Sequence, residues 1–266
     1  MTYMSSLPSE ENGFDYVITP SNVWSPVMTL FLGMVIFFLF AIAQVVGALV
    51  AALRYMDFEM LASEIQAAEG NLEGFLYQYD LVWPAALSSA LVGSLLIFIF
   101  IRVKRARFIE YLHLKGVRWS TWVSWGAIYL LLMVLIQLVS LLSDRFQTPF
   151  MEDIIKETNS FPMLFLSVGV IAPVFEELLF RGFLFKGWER SPLGGHGTVW
   201  LISVIFAVIH MQYDPAIILL IIPMGAVLGY ARMYSGSLLV PIVLHVMNNS
   251  FSLLYTWFSL QETSYF

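Results

Sequence analysis

The chain has 266 residues, of which 59% are hydrophobic and 12% charged, and its mean hydropathy is +0.79. No soluble core of this size could hide that much apolar surface, so a soluble globular domain is excluded. The absence of cysteine excludes disulfides, thiolate metal sites and a cysteine nucleophile, while the formal net charge of −6 says little, because the placement of charge matters more than its sum.

Residues 1 to about 23 form a polar tail with Glu10, Glu11 and Asp15, and lack the basic n-region of a signal peptide. A first apolar run, about Val27 to Leu53, exceeds the about 20 residues that cross a bilayer. Gly33 and Gly47 inside it predict close helix packing rather than a site. Arg54 to Asp80 is acidic, and Leu61, Ile65 and Ala68 recur there at helical spacing, which predicts a short amphipathic surface helix. A second span, about Leu81 to Ile101, ends in Arg102, Lys104, Arg105 and Arg107, with Lys115 and Arg118 following. Beside a span, such a block is a topology signal rather than a nucleic-acid site, and it places residues 102 to 118 in the cytoplasm.

The third span, about Thr121 to Leu142, then leads out, and the fourth, about Phe161 to Phe185, returns. Pro192, Gly194, Gly195 and Gly197 mark a cytoplasmic loop in which His196 is a solvated residue. A fifth segment, about Val199 to Met211, is short for a full crossing and is ended by Asp214-Pro215. The sixth runs from about Ala216 to Ala231 and the seventh from about Leu238 to Phe258. Arg102, Lys104, Arg105, Arg107, Lys115, Arg118, Lys186, Arg190 and Arg232 fall inside, against Arg54, Arg145 and Lys156 outside, as the positive-inside rule asks. The expected fold is all-α: a polytopic membrane bundle of about seven spans, six to eight at the limits. It divides into a tail (1–23), N-terminal membrane helices with an amphipathic external loop (24–160), a polar-bearing membrane core (161–258) and a short tail (259–266).

Within the fourth span lie Glu176, Glu177 and Arg181. An ionised group in the bilayer interior costs roughly 2.5 to 3.5 kcal/mol, so three in one span must be paired and face protein or water. Glu177 and Arg181, four apart, share a helix face and predict an ion pair; Glu176, about 100° round the helix, is left for chemistry. The fifth segment adds His210, and the seventh adds His245 and Asn249 on one face. At about 1.5 Å of rise per residue, these groups lie on the order of 10 to 17 Å from the cytoplasmic side and can meet in one layer. A carboxylate with a nearby histidine can take a proton from water, and an imidazole with an amide can stabilise an oxyanion, which together describe peptide hydrolysis without a covalent intermediate. The same residues, Glu176, His210 and His245, also form a His₂Glu zinc set with an open position, although the HExxH helix of familiar zinc peptidases is absent. No cofactor is otherwise called for.

Glu176-Glu177-Leu178-Leu179-Phe180-Arg181 (EExxxR), Phe206-Ala207-Val208-Ile209-His210 (FxxxH) and His245-Val246-Met247-Asn248-Asn249 (HxxxN) resemble, in order and spacing, the motifs of the CPBP family. This family comprises type II CAAX prenyl endopeptidases with their bacteriocin-processing and bacteriocin-immunity relatives. The resemblance covers about residues 161 to 258. It implies that Glu176 activates water with help from His210, that His245 and Asn249 bind the oxyanion, and that Glu177 and Arg181 support them. The expected protein is a glutamate-dependent intramembrane endopeptidase acting on a membrane-associated protein or peptide, with the lipid bilayer as its other partner and no nucleic acid. Its expected location is the bacterial cytoplasmic (inner) membrane. The alternatives are a non-proteolytic binding or immunity protein on the same scaffold, and a proton-coupled transporter, against which no two-fold repeat of spans is found.

Overall fold

A computed structural model of the chain describes residues 22–67, 76, 80–141 and 149–263. The acidic tail through residue 21, Ala68, Glu69, Glu73, Arg145 and the last residues lie outside them. Among the described residues every regular element is helical. Six helices are long and apolar enough to cross a membrane: α1 (Pro26–Ala52), α3 (Val82–Val103), α5 (Trp119–Ser140), α7 (Phe161–Trp188), α9 (Pro215–Ser235) and α10 (Leu239–Thr263). Between them lie α2 (Phe58–Ala67), α4 (Phe108–Leu112), α6 (Pro149–Glu157) and α8 (Gly194–Val208). This is the all-α membrane bundle that composition predicts. Helix α8, with 15 residues, is the short fifth segment, and the chain turns back just beyond His210.

Local chemistry sets the helix ends. Ser25 caps α1 by accepting from the Met28 backbone N–H, with Pro26 in the first turn, where its missing donor costs nothing. Asp214 caps α9 in the same way through the Ala216 N–H, and Gly236 stops that helix in the left-handed conformation at φ 64°. Helices α1 and α3 run antiparallel and close together. A side chain at Gly47 would collide with Ser88, and one at Gly33 with Leu184, so both glycines serve packing.

The two ends of the bundle differ in charge. At one end Trp24 Nε1 donates to the Phe100 carbonyl, Trp188 Nε1 to the Pro26 carbonyl, and the Leu238 N–H to the His113 carbonyl. These bonds gather the start of α1, the ends of α3 and α7, and the start of α10 beside Lys104, Lys115, Lys186 and Arg190. At the opposite end the Thr158 hydroxyl donates to Asp80 at 2.7 Å.

One core serves α1, α3, α7, α8 and α9, with Ile36, Ile97, Phe175, Phe183, Ile202, Phe206 and Ala226 among its members. The N-terminal helices therefore pack directly against the helix that carries the carboxylates. Helix α5 stands apart: Tyr129 is its one buried residue, set against Leu228, Ala231, Val240 and Leu244.

Candidate active site

The site begins with a proline. Helix α7 is α-helical over Ala172–Glu177 but widens to π-helical turns over Phe165–Ile171 and Leu178–Leu184. Pro173 has no N–H, so a carbonyl in the turn before it loses its helical donor. Helix α10 supplies replacements: Asn249 Nδ2 lies 3.4 Å from the Val168 carbonyl, and Ser250 Oγ donates to the Gly169 carbonyl at 3.3 Å. Loosened turns of this kind recur where helices carry function, and here they bracket Glu176 and Glu177.

Glu177 and Arg181 form the ion pair their spacing predicts, with Nη1 2.7 Å from Oε1 and both side chains almost fully buried. Arg181 also donates from Nη2 to the Gly225 carbonyl at 3.0 Å, and its guanidinium sits 4.5 Å over the Phe206 ring. A Cβ at position 225 would approach Nη2 and Ser203 to 3.2 Å, so glycine is what lets α9 come this close.

His245 connects this buried pair to Glu176. Its Nδ1 lies 2.8 Å from Glu177 Oε1, and its Nε2 lies 3.6 Å from Glu176 Oε2. A carboxylate oxygen can only accept, so Nδ1 carries the proton and Nε2 faces Glu176. Glu176 keeps 21% of its side-chain surface accessible against none for Glu177, which makes Glu176 the carboxylate a substrate could reach. Its Oε2 is buried and accepts no hydrogen bond among the described residues. The two adjacent glutamates thus have distinct environments.

The other motif residues fall around this centre. His210 Nδ1 lies 2.7 Å from the Phe206 carbonyl, which fixes the proton on Nδ1 and leaves Nε2 bare. Among the described residues no hydrogen bond joins His210 to Glu176; the imidazole in contact with Glu176 is His245. Phe206 lies between the two histidines, its ring centre 4.7 Å from that of His210 and 5.6 Å from that of His245. Asn249 directs one amide hydrogen at Val168 and accepts from Asn248 Nδ2 at 3.3 Å, which leaves its second amide hydrogen for other use.

Two tyrosines were not singled out in the sequence. Tyr213 stacks on His210 with ring centres 6.3 Å apart, and burial together with the Glu176 charge pushes its phenol up to about 12. Its signal was proximity to the FxxxH motif, three residues away. Tyr129, from α5, buries an unpartnered hydroxyl within electrostatic reach of Glu177 and Arg181. Its apolar neighbours in sequence gave no hint of this. Among the described residues, no three His, Asp or Glu side chains are grouped so as to hold a metal ion, and the set Glu176, His210 and His245 is not brought together.

Residues 158–251 match the family model described as type II CAAX prenyl endopeptidase Rce1-like. That segment is similar to this family. It contains all three motifs and coincides closely with the stretch picked out by their spacing. Two curated relatives extend the likeness. An Escherichia coli protein described as an uncharacterized 24.3 kDa protein is 28% identical over 145 residues, which cover 53% of this chain and 64% of its own length. The Staphylococcus aureus (strain USA300) membrane-embedded CAAX protease MroQ is 26% identical over 129 residues, covering 47% of this chain and 51% of that protein. The chain therefore spans between half and two thirds of the length of these relatives. No solved structure matches. With six apolar helices long enough to cross a membrane among its described residues, the chain is an integral membrane protein, and its segment 158–251 is similar to the type II CAAX prenyl endopeptidases.

Proposed function

We propose that the chain is an intramembrane endopeptidase that hydrolyses a peptide bond in a membrane-associated protein or peptide, using Glu176 to activate water. The observation that carries this reading is the bridge made by His245 between the accessible Glu176 and the buried Glu177–Arg181 pair. Glu177, held by Arg181 and by His245 Nδ1, orients the imidazole so that Nε2 stays against Glu176. Glu176, whose side chain stays partly accessible, is the carboxylate that takes the water proton.

In the proposed reaction, Glu176 takes that proton as the water oxygen attacks the peptide carbonyl carbon, and the carbonyl electron pair moves onto oxygen. The resulting oxyanion is met by donors from α8 and α10: the free amide hydrogen of Asn249, and the His245 or His210 imidazole when protonated. Collapse re-forms the carbonyl and breaks the C–N bond. The departing nitrogen takes the proton that Glu176 holds, which restores the carboxylate. The Glu177–Arg181 pair positions His245 and does not touch the reacting atoms. Placing the basic end in the cytoplasm puts the reaction toward the cytoplasmic leaflet of a bacterial inner membrane.

The test is purified protein beside Glu176→Gln, each incubated with membrane-derived peptides and read for new termini by mass spectrometry, with and without a chelator. The expected result is cleavage by the parent whether or not chelator is present. The variant, with unchanged melting temperature, should lose about 10²- to 10⁴-fold in rate. Cleavage abolished by chelator would transfer the chemistry to a zinc ion on the histidines and Glu176. A folded parent that captures a membrane partner and never cleaves it would make this a binding or immunity protein instead.

A further inference from the structure

At the basic end of the bundle a cleft of about 470 Å³ lies between the start of α1 and the ends of α3 and α7. Trp24, Pro26 and Met28 form its apolar wall; Lys104, Lys186 and Arg190 supply its charge, and among the described residues no acidic one lines it. We propose that this cleft binds the phosphodiester headgroup of an anionic phospholipid, whose acyl chains lie along α1.

The cleft is built rather than incidental. Lys186 is buried, at 5% exposure, an unusual place for an ammonium on an interface. Its Nζ lies 2.9 Å from Glu189 Oε1 and 3.2 Å from His113 Nε2. An ammonium has three donors, so one remains for a ligand. Lys104 is held 4.8 Å over the Trp24 ring, and Trp24 is itself anchored through its indole N–H to the Phe100 carbonyl. Arg190 is exposed, and among the described residues no carboxylate pairs with it. Three cations from two helix ends thus face one space, and Glu189 pairs with one of them, Lys186. The field there is positive enough to act on a neighbour: the His113 imidazole is pushed down to about 4, first by burial and then by Arg232, Lys186 and Lys115, against the opposing Glu189.

A lipid, rather than a free phosphate, fits what adjoins the cleft. Val27 and Phe31 continue from it down α1 with exposures of 79% and 53%, an apolar track that acyl chains would cover. Trp24 sits at the helix start, where indoles favour the headgroup level, and basic pockets between helix ends are where anionic headgroups are held. The headgroup would sit on Lys104, Lys186 and Arg190, and would tie α1 to α7 beside the existing bond from Trp188 to the Pro26 carbonyl.

The full chain in nanodiscs of mixed phosphatidylglycerol and phosphatidylcholine, extracted gently and weighed by native mass spectrometry, tests this. Arg190→Gln, Lys104→Gln and their double variant are compared with Arg118→Gln, an exposed basic residue of the same end but outside the cleft. The parent and Arg118→Gln should retain phosphatidylglycerol over phosphatidylcholine, and each cleft substitution should reduce that preference about five-fold. Equal retention of the two lipids by the parent would overturn the site, as would a loss in Arg118→Gln equal to that in Arg190→Gln. Displacement of the lipid by inorganic phosphate or glycerol phosphate at millimolar concentration would show a site for a free phosphate and overturn the lipid assignment. Arg190→Gln alone changes an exposed side chain, so it decides the matter even if the Lys104 variants fold poorly.

Discussion

Helices α5 and α7 are both apolar enough to cross a membrane, yet half of the apolar window of α7 is buried inside the protein against 6% for that of α5. Hydropathy alone would treat them alike. The difference follows from what each carries: α7 holds Glu176, Glu177 and Arg181, while α5 has no charged residue within Trp119–Ser140. A leucine face is equally content against lipid or protein, because neighbouring lipid tails are as apolar as another helix. A charged side chain is not, and it draws protein around itself. Burial in this bundle is therefore organised by its polar groups, whereas in a soluble protein the apolar ones would organise it.

The strongest way to break that comparison is to remove one charge from α7. Glu177→Ala or Arg181→Ala leaves the other charge buried and unpaired, at an expected cost of about 3 to 5 kcal/mol. On α5, Leu131→Ala changes an exposed residue and should stay within about 0.5 kcal/mol. Unfolding of the three variants in the same detergent checks both; equal losses would mean that α7 is held by its apolar face after all. A smaller effect sharpens the account of Pro173. Ser250→Ala should cost on the order of 0.6 kcal/mol by freeing the Gly169 carbonyl. In a Pro173→Ala background, which returns an N–H to the helix, the same substitution should cost less. A double-mutant cycle with no coupling would remove Pro173 from the explanation.

An effect confined to acidic pH, and absent at neutrality, lies at the basic end, in His113, which faces Lys186, Arg232, Lys115 and Glu189. Unfolded, its imidazole takes up a proton near 6.5; folded, only near 4. Between those values the unfolded state binds more protons, so stability is fully present above about 6.5, declines as pH falls toward 4, and loses nothing further from this group below that. Melting temperature against pH for the parent and His113→Gln should differ in slope across that window alone. Parallel curves would mean that the burial of His113 has no energetic weight.

Relations within one helix were legible in the sequence, and relations between helices were not. The ion pair of Glu177 and Arg181 follows from a four-residue spacing, and the spans follow from apolar runs whose ends moved by only a few residues. His245 meeting both carboxylates depends instead on how α10 is rotated against α7, which is set by Asn249, Ser250 and the carbonyls beside Pro173. No local pattern encodes that. The resemblance to the CPBP family implies His210 as the helper of Glu176; in the structure the Phe206 carbonyl holds one nitrogen of His210, and the imidazole in contact with Glu176 is that of His245. Tyr129 was invisible for the same reason: its importance lies in what α9 and α10 bring to it.

The bonds made to the carbonyls before Pro173 have a mechanical consequence. The Val168 and Gly169 carbonyls accept from side chains of another helix, so α7 and α10 are stitched together along that line. Drawing them apart would strand bare carbonyls in hydrocarbon, where no water replaces the lost donors. That seam resists parting, and a polypeptide approaching Glu176 sideways from the bilayer would meet less resistance along a different flank of the bundle.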